Sequence, residues 1–335
     1  MIAARCAAVV ALGVATIAAQ SWKAPRLPDG HPDFQGVWSN NTVTPFVRPK
    51  ALSGREFLTD DEIKTLQQRA VVMFNGDGDT APGDAMFEAL LAGPEALEKK
   101  SGTGDYNQVW AAERLVVERR TSQLIDPSSG TLPPLSPEGA RRHAAFLEAR
   151  RLHPADGPES RPPIERCISA GPFKLGFVQT RNNSYYQIVQ TAGTTLLYTE
   201  MMRDARLIHL DGRPHPPPSI RSWAGDSRGR WDGDALVIDT TNYHPQAAWA
   251  PYAGLLFSAE HFHVLERLTQ LDAQTLEYRV TVEDPTLWTQ PWSAVTTWRR
   301  TTNRIFEYAC HEGNRAMEGL LRGARAEESA AKQHD

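Results

Sequence analysis

The chain has 335 residues, 41% of them hydrophobic, enough for one large β domain or two smaller ones with a sizeable core. A formal charge of -4, with no basic run and no recognition motif, gives no sign of a nucleic-acid surface. No apolar segment of about 18 or more residues follows the N-terminus, so no stable membrane span is expected after it.

Arg5, the apolar run Ala7 to Ile17 and Ala18-Ala19-Gln20 form the charged–apolar–small pattern of a secretory signal peptide over residues 1–19, cleaved after Ala18 or Ala19. An uncleaved anchor helix is the alternative, but the run is short for one. Cys6 lies too early to be a lipid-modified cysteine. The expected location is therefore periplasmic or secreted. Two cysteines remain in the exported chain, Cys167 and Cys310, in a compartment where disulfides persist, and the even number favours a bridge over two buried thiols.

Residues 20–163 read as an extended and helical segment. Ser21 to about Arg55 is extended, and His31–Trp38 either adds a strand to the β domain or lies across it. Thr59 and Glu62 make a capping box before Ile63, Leu66, Ala70 and Val71. Asn75–Asp84 superficially resembles an acidic calcium loop but lacks the terminal glutamate and the offsets, which leaves a loop. Glu88–Lys100 is weakly helical. Tyr106, Trp110 and Arg114 follow at i, i+4 and i+8, an aromatic wall with a cation for a bound molecule, or ordinary helix-to-barrel packing. Asp126–Gly130 is a turn. Ser136-Pro137-Glu138 starts a second helix that runs to about Arg151, and His153–Pro163 is a linker.

Residues 164–322 read as an antiparallel β domain and 323–335 as a disordered tail. The expected strands are Tyr185–Gln190, Thr195–Glu200, Arg206–Leu210, Ala235–Thr240, His261–Gln270, Thr275–Glu283, one carrying Trp292 and Trp298, and Ile305–Cys310. Asp232-Gly233 suits a type I′ hairpin turn. Asp211–Pro218 is a rigid loop. The fold class is mainly β: an antiparallel barrel of calycin or lipocalin-like form, or a sandwich, with the N-terminal segment packed on it.

Period two puts His261, His263 and Arg267 on one face of their strand and Phe262, Val264, Glu266 and Leu268 on the other. Glu266, on the apolar face, must be neutral or meet a cation, with Arg230 and Arg299 as candidates. Walker, dinucleotide, nucleophile-elbow and zincin motifs are absent. Acid–base chemistry without a cofactor fits better: His263 and His215 as proton-transfer groups, Asp211 or Asp226 orienting a histidine, and Glu266 nearby. His263 and Glu266 can share a pocket only across a bulge; otherwise His263 stays as base and Glu266 is structural. A metal held by three of His209, His215, His261 and His263 with Glu260 or Asp226 lacks tight ligand spacing, so no metal and no other cofactor is expected. Trp231 and its neighbouring tryptophans suit an apolar or ring-containing ligand. The expected function is an exported lyase, isomerase or hydrolase acting on a small, largely apolar or aromatic molecule. The alternatives are a lipocalin-like binding protein without catalysis and a partner-binding envelope protein.

DGHPDFQGVW, RTSQLIDPSSGTLPPLSPEG, LDGRPHP, GRWDGDALVIDTTNY, HVLERL and VEDPTLWTQPW together resemble a large family of secreted bacterial proteins, over most of the mature chain. The resemblance implies export and many paralogues, which would suit varied substrates on one scaffold, but no particular chemistry. Where the family has a histidine before the serine of a Gly-His-Ser triplet, this chain has Gly225-Asp226-Ser227, so any role of that histidine is lost here or passes to Asp226.

Overall fold

The alternation in Thr275–Glu283 builds a strand whose Leu276, Tyr278, Val280 and Val282 are buried while the residues between them are half-exposed. The computed structural model describes residues 22–75, 84–93, 115–170, 176–177, 184–248 and 260–334, and this strand is the ninth of its ten. The others are β1 (Gly36–Ser39), β2 (Leu124–Asp126), β3 (Tyr185–Gln190), β4 (Thr194–Thr199), β5 (Ala205–His209), β6 (Asp226–Asp232), β7 (Ala235–Thr241), β8 (His263–Asp272) and β10 (Trp292–Thr301), with β9 as given. Nine close into a barrel in the order β1-β3-β4-β5-β6-β7-β8-β9-β10, with β10 pairing back onto β1, and β2 adds to β10 as an extra strand. The sandwich alternative is thereby removed. All neighbours are antiparallel except β5 and β6, which run parallel through Ile208↔Ser227 and His209↔Arg228.

The closing strand comes from the N-terminal segment: β1 pairs with β3 on one side and β10 on the other, leaving neither with an open edge there. Gly36 makes the approach possible. Its φ is +130°, and a Cβ there would stand 2.6 Å from Arg300 Nη1, which donates to the Gln35 carbonyl at 2.7 Å. The Arg300 guanidinium also lies 4.4 Å over the Trp38 ring.

The inner face is packed with side chains. Tyr186, Trp298 and Tyr278 form a stack with centroid spacings of 4.5 and 5.1 Å. In this interior the Glu266 carboxylate accepts from Arg206 at 2.5 and 2.8 Å and from the Tyr278 hydroxyl at 2.6 Å. Arg206, from β5, thus replaces the two expected partners: Arg230 is exposed, and Arg299 donates to Thr275 Oγ1. The inner-face parity of β5 selects Arg206, because its neighbour Ile208 two residues on is also buried inward.

Outside the barrel, α1 (Asp60–Asn75) starts at the expected capping box: the Thr59 N–H donates to Glu62 at 2.8 Å and the Glu62 N–H to Thr59 Oγ1 at 3.2 Å. It packs with α2 (Asp84–Ala92) through Leu66, Ala70, Phe87 and Leu90 into a satellite core. At α3 (Pro137–Leu152) Ser136 caps as expected, accepting from the Gly139 N–H at 2.9 Å. Cys167 and Cys310 are joined in a disulfide. Among the described residues no helix is long and apolar enough to cross a membrane. The signal-peptide stretch, the Asn75–Asp84 loop beyond its ends, and Tyr106, Trp110 and Arg114 lie outside the described residues.

Three local expectations change. The expected disordered tail is largely helical: α4 (Ala316–His334) sets Met317, Leu320, Leu321 and Ala324 on one half-buried face, and Arg325 donates to the carbonyls of Ala155 and Asp156, both at 3.0 Å. The polar composition of that stretch is the composition of a surface helix. Ile305–Cys310 joins no ladder. The β6–β7 turn is Gly233-Asp234, since Asp232 pairs with Ala235; only Gly233 has positive φ (+59°), the pattern of a II′ turn.

Breaking a buried ion pair strands a charge, so Glu266→Gln or Arg206→Met should each cost about 3–5 kcal/mol in urea unfolding, and Arg206→Met/Glu266→Leu together less than the worse single change. Single variants within about 0.5 kcal/mol of the parent would show that the pair does not hold the interior. The disulfide spans 143 residues of sequence. Its Cys167→Ser/Cys310→Ser variant should lose about 2–5 kcal/mol, read from the denaturant midpoint.

Candidate functional site

The residues that fill the barrel and those that carry its charge come from the same strands. On β7, Leu236 and Ile238 point inward and Asp239 between Ile238 and Thr240 points outward. On β8, Val264 and Glu266 are inward and His263 outward. The register sets His263 directly opposite Glu283 of β9 and diagonal to Asp239, which pairs with Leu265. Arg228 of β6 pairs with Asp239, which leaves Asp226 diagonal to it on the same outer face.

A histidine from the rigid loop fits between these two aspartates. His215 meets Asp226 Oδ1 with Nδ1 at 2.6 Å and Asp239 Oδ1 with Nε2 at 3.1 Å. His263 meets the same Asp239 oxygen with Nε2 at 3.0 Å and Glu283 with Nδ1 at 3.1 Å. Prolines on both sides of His215 restrict its backbone, and Asn242 Nδ2 donates to the Pro216 carbonyl at 2.9 Å, tying the loop to the end of β7. Arg228 holds Asp226 through two bonds, at 2.7 and 3.0 Å, and approaches Asp211 at 3.8 Å. Asp211 in turn accepts from Arg213 Nε at 2.7 Å. The result is a continuous row across the outer wall: Glu283, His263, Asp239, His215, Asp226, Arg228, Asp211, Arg213.

The row is least exposed in its middle. Asp226 and Arg228 side chains are 20% and 19% exposed, whereas Asp239 and Glu283 are 41% and 42% exposed. The hydrogen bond to Asp239 raises His263 to about 9; half-burial opposes this, and Glu283 adds to the rise. The bond from His263 correspondingly pulls Asp239 below the ordinary carboxylate range. Burial pushes Asp226 up, but the bonds from Arg228 and His215 outweigh it and hold the group low. Arg213 holds Asp211 at about 2. His263 is therefore an imidazolium at neutral pH, with both nitrogens donating to carboxylates. In that state it places a positive charge between Asp239 and Glu283.

The structure thus brings together His263, His215, Asp226 and Asp211. It puts Glu266 on the opposite face of the wall, since β8 carries no bulge between residues 263 and 266. Trp231 also lies apart, its ring stacked on His31 at 4.6 Å and against Phe34 at 5.5 Å. Asp239, Glu283, Arg228 and Arg213 are the members that sequence reasoning missed. Asp239 was detectable as the one ionisable residue of an otherwise apolar strand. Among the described residues no three His, Cys, Asp or Glu side chains are grouped as metal ligands. No protein-family model, no curated protein and no solved structure matches the chain.

A histidine whose pKa is raised by folding stabilises the fold fully below its unfolded value and loses that contribution as pH rises through the folded value. Stability should therefore fall as pH is raised from about 6.5 to about 9, and His263→Gln should remove that part of the decline. Thermal melts across this range test it, with the imidazole midpoint followed by NMR. An Asp239→Asn variant should bring the midpoint back toward its ordinary value.

Proposed function

We propose that this chain is an exported, cofactor-independent enzyme that moves protons on a small, largely apolar or aromatic molecule at the outer-wall row, as a lyase, isomerase or hydrolase. The observation that carries this reading is the unequal bracketing of His215. On one side Asp226 is half-buried, its side chain 20% exposed, and clamped by Arg228. On the other Asp239 is 41% exposed and already bonded to a second imidazole. A polar group of a substrate can take the place of Asp239 at His215 Nε2 while Asp226 keeps the ring oriented. Asp239 then remains with the His263 imidazolium, so the displaced carboxylate is not left without a partner.

In that arrangement His215 is the proton-transfer group, Asp226 orients it, and Arg228 acts as a positioning residue through Asp226. The imidazolium of His263 supplies positive charge beside the reacting atoms, where negative charge develops on a carbonyl or leaving group. The disulfide and the signal-peptide pattern support export to the periplasm or beyond. Asp226 is also the position at which the chain departs from the family it resembles, and its carboxylate is what anchors the His215 ring.

Two probe reactions test the reading: hydrolysis of aryl esters and solvent-deuterium exchange at the α-carbon of aryl ketones. His215→Asn should slow the active one by about 10²- to 10⁴-fold with the circular dichroism spectrum unchanged. Arg228→Gln should lower kcat more than it changes KM. Full activity in His215→Asn would sink the proposal. Saturable binding of aryl probes without turnover would instead make this a binding protein.

A further inference from the structure

A second site stands apart from the outer-wall row, where the disulfide joins two stretches of chain. Residues from 158–168 and 311–317 line an open cleft of about 290 Å³. That volume is near the low end of small-molecule sites, which run from about 300 Å³ upward. The Cys167–Cys310 bridge links the two lining stretches and so limits how far they can separate.

The charge inside the cleft is one-sided. Glu165 lines it, but that carboxylate is taken by Arg161 at 2.7 Å. The neighbouring Arg166 is half-buried, lines the same cleft and has no carboxylate partner among the described residues. His311 lines the cleft too and supplies a further nitrogen. A guanidinium of fixed planar shape without an internal anion matches an external carboxylate, which it can bind through two parallel bonds. Asn314 accepts from the Ala316 N–H at 3.0 Å, and α4 begins there, so the positive end of a 19-residue helix adds to the same field. The rest of the lining is apolar: Ile168, 36% exposed, and Met317, a flexible thioether suited to contact with a ring.

We propose that this cleft binds a small ring-bearing carboxylic acid, with the carboxylate on Arg166 and the ring against Ile168 and Met317. Benzoate is the probe, and benzamide is its uncharged counterpart of the same shape. Calorimetric titration of the oxidised, full-length protein should give one saturable benzoate site and binding of benzamide at least about tenfold weaker. Arg166→Gln should weaken benzoate by about tenfold or more. Met317→Trp, which fills the cleft from its apolar side, should abolish binding while leaving Arg166 in place. His215→Asn should leave benzoate affinity unchanged, which separates this site from the outer-wall row. Near-UV circular dichroism identifies any variant that has lost its fold, and the other of the two cleft variants then decides. Absence of saturable benzoate binding, equal affinity for benzamide, or binding that survives a folded Arg166→Gln or Met317→Trp variant would overturn the proposal.

Discussion

Everything in this molecule depends on the period-two alternation of β7, β8 and β9 in a closed sheet. Each strand has one side that must be buried and one that cannot be, and closure makes the distinction absolute. A one-residue slip of β8 would put His263 among the tryptophans and Val264 in solvent. The same alternation therefore builds the core and lines up His263, Asp239, Asp226 and Glu283 on the outer wall.

The two sides solve the problem of charge differently. Inside, the low-dielectric packing admits Glu266 only because Arg206 and Tyr278 meet it directly, and the three groups leave that carboxylate nothing further to bind. Outside, carboxylates on adjacent strands would repel, and imidazole rings between them turn repulsion into a hydrogen-bonded row. The inner pair is closed and suits structure. The outer row reaches solvent at both ends, Glu283 and Arg213, and at Asp239 between them, so an incoming molecule can reach it without opening the barrel.

The opposition of His263 and Glu283 comes from a detail smaller than any strand. A regular two-residue turn at Ala273-Gln274 would set Val264 against Glu283. The register shift between Gln270 and Asp272 moves the pairing by one residue, so that outward residue meets outward residue along the hairpin. Nothing in Gln270-Leu271-Asp272 announces that shift, whereas Thr59 and Glu62, or Ser136 and Pro137, announce their helices openly, because a cap is made within a few residues of chain.

Local chemistry was thus readable directly from the chain: most of the strands, the two capped helices, the inward and outward faces of β8 and β9, and the pairing of Cys167 with Cys310. Those features depend on residues close in sequence or, for the bridge, on the small number of cysteines in the chain. Closure by β1, the choice of Arg206 over Arg230 and Arg299, and the meeting of His215 with Asp239 depend instead on which strands lie side by side. Barrel order and register are set by the whole sheet at once, because every strand must satisfy two neighbours and one common interior, and no single stretch of sequence carries that condition.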